Sequence, residues 1–166
     1  MVITTKPCSN ISSLKPSLEY IEGVKVYKFY PFNLYFLPQP SNSTLIRGIW
    51  SLIDTWNPHP YHVIKRILAE EKPDVVHLHT PVSLSLSVFS AVKALKLPLV
   101  FTVHDYFLIC KRTFLLHGNG KLCTNPAAIC KLYRKISRNI VDSRPDVVIS
   151  PSQFALDMLT NQGFFQ

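Results

Sequence analysis

Apolar positions recur along this chain with two different periods, and the switches between them mark out the elements. Val2 to Thr5 is short and rich in β-branched residues, and Val24 to Phe29 alternates apolar positions with Lys25 and Lys28. Both predict strands, the second near a sheet edge. The Ser- and Pro-rich stretch between them predicts a loop. From Tyr30 to Ser43, Pro31, Pro38 and Pro40 forbid regular structure, yet Phe32, Tyr35, Phe36 and Leu37 carry much apolar surface that must find cover. Ile46, Ile49, Trp50 and Ile53 repeat at i, i+3, i+4 and i+7, which predicts a helix with one apolar stripe. Asn57 to Pro60 breaks it. A second helix with Val63, Ile64, Ile67 and Leu68 on one face follows and ends at Glu70 to Pro73.

One junction is used twice. Lys72-Pro73-Asp74-Val75-Val76 parallels Arg144-Pro145-Asp146-Val147-Val148, each closing an amphipathic helix and opening a buried apolar strand. An open parallel sheet requires such helix-to-strand returns. After each strand a proline predicts the start of the next helix, at Thr80-Pro81 and at Ser150-Pro151. In the second case Ser150 suits the cap, Pro151 the first helical position and Gln153 the third position of a capping box. Leu99 to Val103 is a third buried strand. Ile129, Leu132, Tyr133, Ile136 and Ile140 predict a long helix with Lys131, Arg134, Lys135 and Arg138 turned away from its stripe, and the last helix reaches Gly163 as its cap. The predicted order is β, β, α, α, β, α, β, α, β, α. It describes one α/β domain over residues 1–166, a doubly wound, mostly parallel sheet of the Rossmann-like type.

Composition narrows this only at a few points. With 166 residues and 47% hydrophobic content the chain has material for a single packed core. Pro81 to Leu97 is its most apolar long stretch, but four serines and two lysines interrupt the roughly 20 apolar residues a bilayer span needs. Met1 to Thr5 reads as strand rather than signal peptide, so a cytoplasmic location is expected. In that reducing setting Cys8, Cys110, Cys123 and Cys130 read as thiols. The net charge of +8 favours anionic partners. Lys111, Arg112, Lys121, Lys131, Arg134, Lys135, Arg138 and Arg144 concentrate it, with Asp142 alone opposing them. Solvated charge is the plain reading of that face; an anionic membrane surface is the next, and nucleic acid ranks last because no interleaved aromatics or nucleic-acid motifs accompany it.

In open parallel sheets ligands bind beyond the carboxyl ends of the strands, near unpaired helix N–H groups. That rule selects His79-Thr80, His104-Asp105 and Ser150-Pro151-Ser152. His77 and His79 share a strand face, and only His79 reaches the end; His77 reads as a core residue. His104-Asp105 closes an apolar strand and opens an irregular segment. Either His104 meets the reacting groups while Asp105 orients it or holds the loop, or the pair is an Asx-type turn with a His cap. Cys110, Cys123, Cys130 and His117 could in number enclose zinc, but without a Cys-x-x-Cys pair the spacing argues against a metal site.

Trp56-Asn57-Pro58, then Lys72 through His79, then Phe101-Thr102-Val103-His104-Asp105-Tyr106, and finally Ile149-Ser150-Pro151-Ser152 resemble, in this order, the N-terminal, acceptor-side domain of the family 4 glycosyltransferases. These are retaining enzymes with two Rossmann-like domains (the GT-B fold) facing a cleft. The segment from His104 through Cys110 to Cys123 and Cys130 is similar to the cysteine-bearing loop of one branch, with one cysteine of its cluster replaced. The resemblance implies transfer of a sugar from a nucleotide-sugar donor to a glycan or lipid-linked acceptor at a cytoplasmic membrane face, without an essential metal or other cofactor. It gives His104 a catalytic place near donor sugar and acceptor, and gives His79, Asp105, Ser150 and Ser152 substrate-side places. It further implies that Met1 to Thr5 corresponds to the second strand of the family's domain, so that the first strand with its glycine-rich loop and the whole donor-binding domain lie outside this sequence. Transfer by this chain alone is therefore not expected. The alternative is a stand-alone binding module, or a split subunit that pairs with a separately encoded donor domain.

Overall fold

The computed structural model describes residues 1–8, 10–34, 43–116, 119–142 and 144–166. Of the positions singled out above, Tyr35, Phe36, Leu37, Pro38, Pro40 and His117 lie outside them. The strands are β1 (Val2–Thr5), β2 (Ser17–Ile21), β3 (Val24–Phe29), β4 (Val76–Leu78), β5 (Leu99–Thr102) and β6 (Val147–Ile149). The helices are α1 (Thr44–Thr55), α2 (Pro58–Glu71), α3 (Ser87–Ala94), α4 (Ala128–Val141) and α5 (Gln153–Thr160). A short 3-10 turn, Ile11–Leu14, joins β1 to β2.

The α/β class and the parallel β4–β5–β6 order agree with the sequence reading, but the strands form two sheets. One has the order β1-β3-β2, the other β4-β5-β6. Tyr27 of β3 pairs in register with Ile3 in parallel and with Leu18 in antiparallel, so β3 is central rather than an edge. The edge is β2, a strand hidden in the presumed loop. Its Leu18, Tyr20 and Ile21 stay exposed, and a strand without a buried face gives no period-2 signal. Glu22 and Gly23, both at positive φ, make the tight turn into β3.

The core gathers where α2 and α3 cover the strands: Phe29, Ile64, Ile67, Leu68, Phe89, Leu99, Phe101 and Phe164 are all buried. Asn57 begins α2 rather than ending a break. Its carboxamide oxygen accepts the His59 N–H at 3.0 Å, Pro58 takes the first turn, and its Nδ2 donates to Phe32 O at 3.0 Å, fixing the aromatic segment that stacks Phe32 on His59. The helix ends at Lys72 in left-handed geometry, φ 46°. At the second junction Asp146 accepts the Leu99 N–H on its carboxylate at 2.7 Å and donates its own N–H to Leu99 O at 2.8 Å, clasping β6 to the start of β5.

Three helix expectations shift. Pro81 does not open α3: Ser83 and Ser85 sit at φ 64°, and the buried Ser85 hydroxyl accepts the N–H groups of both Asn57 and Ser87, so the helix begins there. In α5 the cap is Ser152, whose Oγ accepts the Ala155 N–H at 3.1 Å, while Ser150 donates its hydroxyl to Ser152 O; the chain is still extended at Ser152, which moves the helix start two residues on. On α1 only Trp50 of the four stripe residues is buried, and Leu45, Ile46, Ile49 and Leu52 are exposed.

Candidate functional site

Parallel strands β4 and β5 lie side by side, with His77 opposite Val100 and Leu78 opposite Phe101. The residues just past each strand therefore emerge at the same edge. His79 Nδ1 and His104 Nε2 meet there at 2.8 Å, their rings 5.2 Å apart and near-parallel. Two ring nitrogens at that distance share one proton, so one ring donates and the other accepts. His77 stands behind them, its ring 4.2 Å from that of His79 and its Nε2 2.7 Å from Thr102 Oγ1. It is satisfied, as expected, but exposed rather than part of the core. Partial desolvation, then the His77 and His104 rings, hold His79 below the ordinary imidazole value.

The loop after β5 is held from several sides. Asp105 accepts the Phe107 N–H on Oδ1 at 2.8 Å, an Asx turn that fixes the loop's direction. Its carboxylate thus serves the backbone, and the ring partner of His104 is His79. Tyr133 donates its hydroxyl to Phe107 O at 2.6 Å and Arg134 its Nε–H to Ile109 O at 2.9 Å, so α4 fastens the loop. Burial pushes the Tyr133 phenol far up.

Beneath that loop lies a pair that sequence reasoning missed. Lys111 Nζ is 3.5 Å from Asp54 Oδ2, with side-chain exposures of 19% and 3%, and it lies 4.5 Å and 4.8 Å from the ring centroids of Phe107 and Tyr133. At 3.5 Å the contact is Coulombic and cation–π rather than a good hydrogen bond. Burial raises the Asp54 carboxyl to about 6 against the pull of Lys111, and burial lowers the Lys111 amine to about 8 against the pull of Asp54. A signal existed: Asp54 stands four residues after Trp50, on the one face of α1 that is buried.

Ser150 and Ser152 reach the same end of the sheet on β6 but turn their hydroxyls to the start of α5. The basic face is smaller than the sequence suggests. Arg134 also donates to Gln162 Oε1 and Arg138 packs along Gly163, so these two do not point outward from the stripe, and Arg144, beyond α4, donates to Ser90 Oγ of α3. The stripe itself rotates: α4 buries Tyr133, Ser137 and Val141, leaving Ile129, Leu132 and Ile136 exposed next to Lys131 and Lys135. Cys8, Cys110, Cys123 and Cys130 are free thiols, and among the described residues no group of three or more His, Cys, Asp or Glu side chains is arranged to hold a metal ion. No helix among the described residues is long and apolar enough to cross a membrane.

The chain is similar to several known proteins. An uncharacterized 42.6 kDa protein of the cps region of Klebsiella pneumoniae is 28% identical over 148 residues, which is 87% of this chain. The chain spans 38% of that relative's length. A Listeria monocytogenes crystal structure with the provisional name UDP-N-acetylglucosamine 2-epimerase aligns with 64% of this chain and 24% of its own, at 17% identity and a TM-score of 0.41, a likeness too remote to bear on function. The profile of Glycosyltransferase Family 4 matches residues 21–165, from the end of β2 to the residues after α5. The chain belongs to Glycosyltransferase Family 4.

Proposed function

We propose that this chain is the acceptor-side part of a retaining glycosyltransferase that moves a sugar from a nucleotide-sugar donor to a glycan or lipid-linked acceptor. The observation that supports it is the hydrogen-bonded His79–His104 pair, exposed at the carboxyl ends of adjacent parallel strands in a chain of this family. With Nε2 committed to His79, His104 has Nδ1 left to meet a sugar hydroxyl near the bond that breaks; His79 sets its tautomer and ring angle. Such transfer depends on aligning acceptor and donor and on stabilising the departing diphosphate. The second task belongs to a donor-binding domain, so the chain alone binds acceptor without turnover and needs no metal or other cofactor. Asp105, Ser150 and Ser152 shape the same rim through the backbone they hold.

The cps-region name of the Klebsiella relative favours a polysaccharide-building setting. Exposed Ile129, Leu132 and Ile136 beside Lys131 and Lys135 suit peripheral contact with an anionic inner membrane face, where a lipid-linked acceptor resides. Saturation-transfer NMR with glycan and lipid-linked acceptors tests the reading. Acceptor binding that shifts the His79 and His104 imidazole signals, without turnover of nucleotide sugars, is expected. Binding of nucleotide sugars but no acceptor would sink the acceptor-side assignment.

A further inference from the structure

The loops that follow β4 and β5 begin with His79 and His104, and both loops return to one side chain of α1. Burial raises the Asp54 carboxyl, and Lys111, then the backbone N–H of Ser83, pull it back. Asp54 thus meets the first loop at Ser83 and the second at Lys111, whose Nζ is 3.5 Å from its Oδ2. It is 2% exposed, so little water stands by to screen either contact.

On the first side, Ser83 comes four residues after His79, in a turn that the Leu84 N–H closes on Pro81 O at 3.0 Å. Ser83 and Ser85 both hold φ 64°, a left-handed geometry that residues with a side chain keep only where their surroundings fix them. The Asn57 N–H fixes the second by donating to Ser85 Oγ at 2.9 Å, and the Asp54 carboxylate draws in the amide of the first. On the other side the chain from His104 to Lys111 is folded upon itself. Tyr106 donates its N–H to Thr113 O at 3.1 Å, Cys110 donates its own to Tyr106 O at 2.8 Å, and Phe107, Leu108 and Ile109 between them are buried. A displacement of Lys111 consequently reaches Tyr106, two residues from His104. Apolar residues of like size would fill this place at least as stably as an ion pair. They would lose the contact that reaches two loops at once.

We propose that Asp54 is a positioning residue for the histidine pair: through Ser83 and Lys111 it holds the two loops at the separation that brings His79 Nδ1 to His104 Nε2. Its part in sugar transfer rests on the proposed function, in which these rings face the acceptor. Its hold on the rings is read with no acceptor present, so the two can fail separately.

Asp54→Asn combined with Lys111→Met removes both charges, and the variant is expected to unfold near the urea midpoint of the unmodified chain although the Coulombic tie is gone. By nitrogen NMR the unmodified chain should show a coupling between His79 Nδ1 and His104 Nε2 across their shared proton. The double variant should lose that coupling, and its His79 midpoint should move up toward the ordinary 6.5. Asn57→Ala, which weakens the fold at the α2 cap and leaves Asp54 in place, should keep the coupling. One measurement needs no variant: the Ser83 amide of the unmodified chain should shift with the Asp54 carboxyl at a common midpoint. Retention of the coupling with an unmoved His79 midpoint in the double variant overturns the proposal. So does loss of the coupling in Asn57→Ala as well, because any loosening of the fold would then suffice, and so does a Ser83 amide indifferent to the carboxyl.

Discussion

Replacing Lys111 with methionine isolates the buried Asp54–Lys111 charge pair. Asp54 is 2% exposed, so without Lys111 its carboxylate stands uncompensated beneath the loop that carries His104. Attraction at 3.5 Å is about 5 kcal/mol for an effective dielectric of about 20. Desolvation nevertheless prevails, because the carboxyl lies at about 6 rather than 3.8, a difference of about 3 kcal/mol. The carboxyl's folded value exceeds its unfolded one, so its protonated form contributes stability that is complete below 3.8 and is lost as pH rises through about 6. For Lys111 the folded value, about 8, lies below the ordinary 10.5, so the neutral amine's contribution is complete above 10.5 and is lost as pH falls through about 8. Between about 6 and 8 both groups are charged, and the pair is dearest to bury. Lys111→Met should therefore cost about 3–5 kcal/mol at pH 7.5 in urea unfolding. At pH 5 a substantial part of that loss should return as Asp54 takes a proton, and Asp54→Asn in the same background should restore most of it at both pH values. A loss below about 1 kcal/mol at pH 7.5, the range of exposed pairs, or a loss indifferent to pH, would refute the account.

Three other outcomes follow from the geometry. The His79 ring should titrate below 6.5 in NMR and move upward in His104→Ala, which removes a neighbouring charge; a midpoint at or above 6.5 in the unmodified chain contradicts the clustered-imidazole picture. Asn57→Ala removes the α2 cap and the donor to Phe32 O, and should lower unfolding stability by about 2 kcal/mol or more; a change within about 0.5 kcal/mol would show that water replaces both bonds. Gly163 holds φ 80° and a Cβ there would lie 2.7 Å from Arg138 Nη1, so Gly163→Ala should cost about 1–2 kcal/mol by the same assay, mostly from the backbone because the arginine tip can swing aside; an unchanged midpoint would mean the turn relaxes without cost.

The buried strands and their helix returns were legible because burial leaves period: β5 and α2 carry their apolar residues on the faces that pack. What misled was apolar surface without a partner. The stripes of α1 and α4 are wider than the faces these helices bury, so Ile49 and Leu132 look like core and lie in solvent. β2 has no buried face and left no trace. At the site, strand-end logic found His79 and His104 separately, and their joining rests on the β4–β5 register, which no local pattern encodes. At Asp105 the sequence left two readings open, an orienter of His104 or an Asx-type turn, and the short reach to the Phe107 N–H settles its carboxylate on the turn.

Glu71, at the last turn of α2, binds both Lys25 Nζ and the Tyr27 hydroxyl of β3, and the same helix returns directly into β4. The described ladders of the two sheets share no hydrogen bond, so this helix and the common core that holds Phe29, Leu78 and Phe101 carry the connection between them. Anything that locks them together would raise the rigidity of His79 and His104 from a distance, without touching either ring.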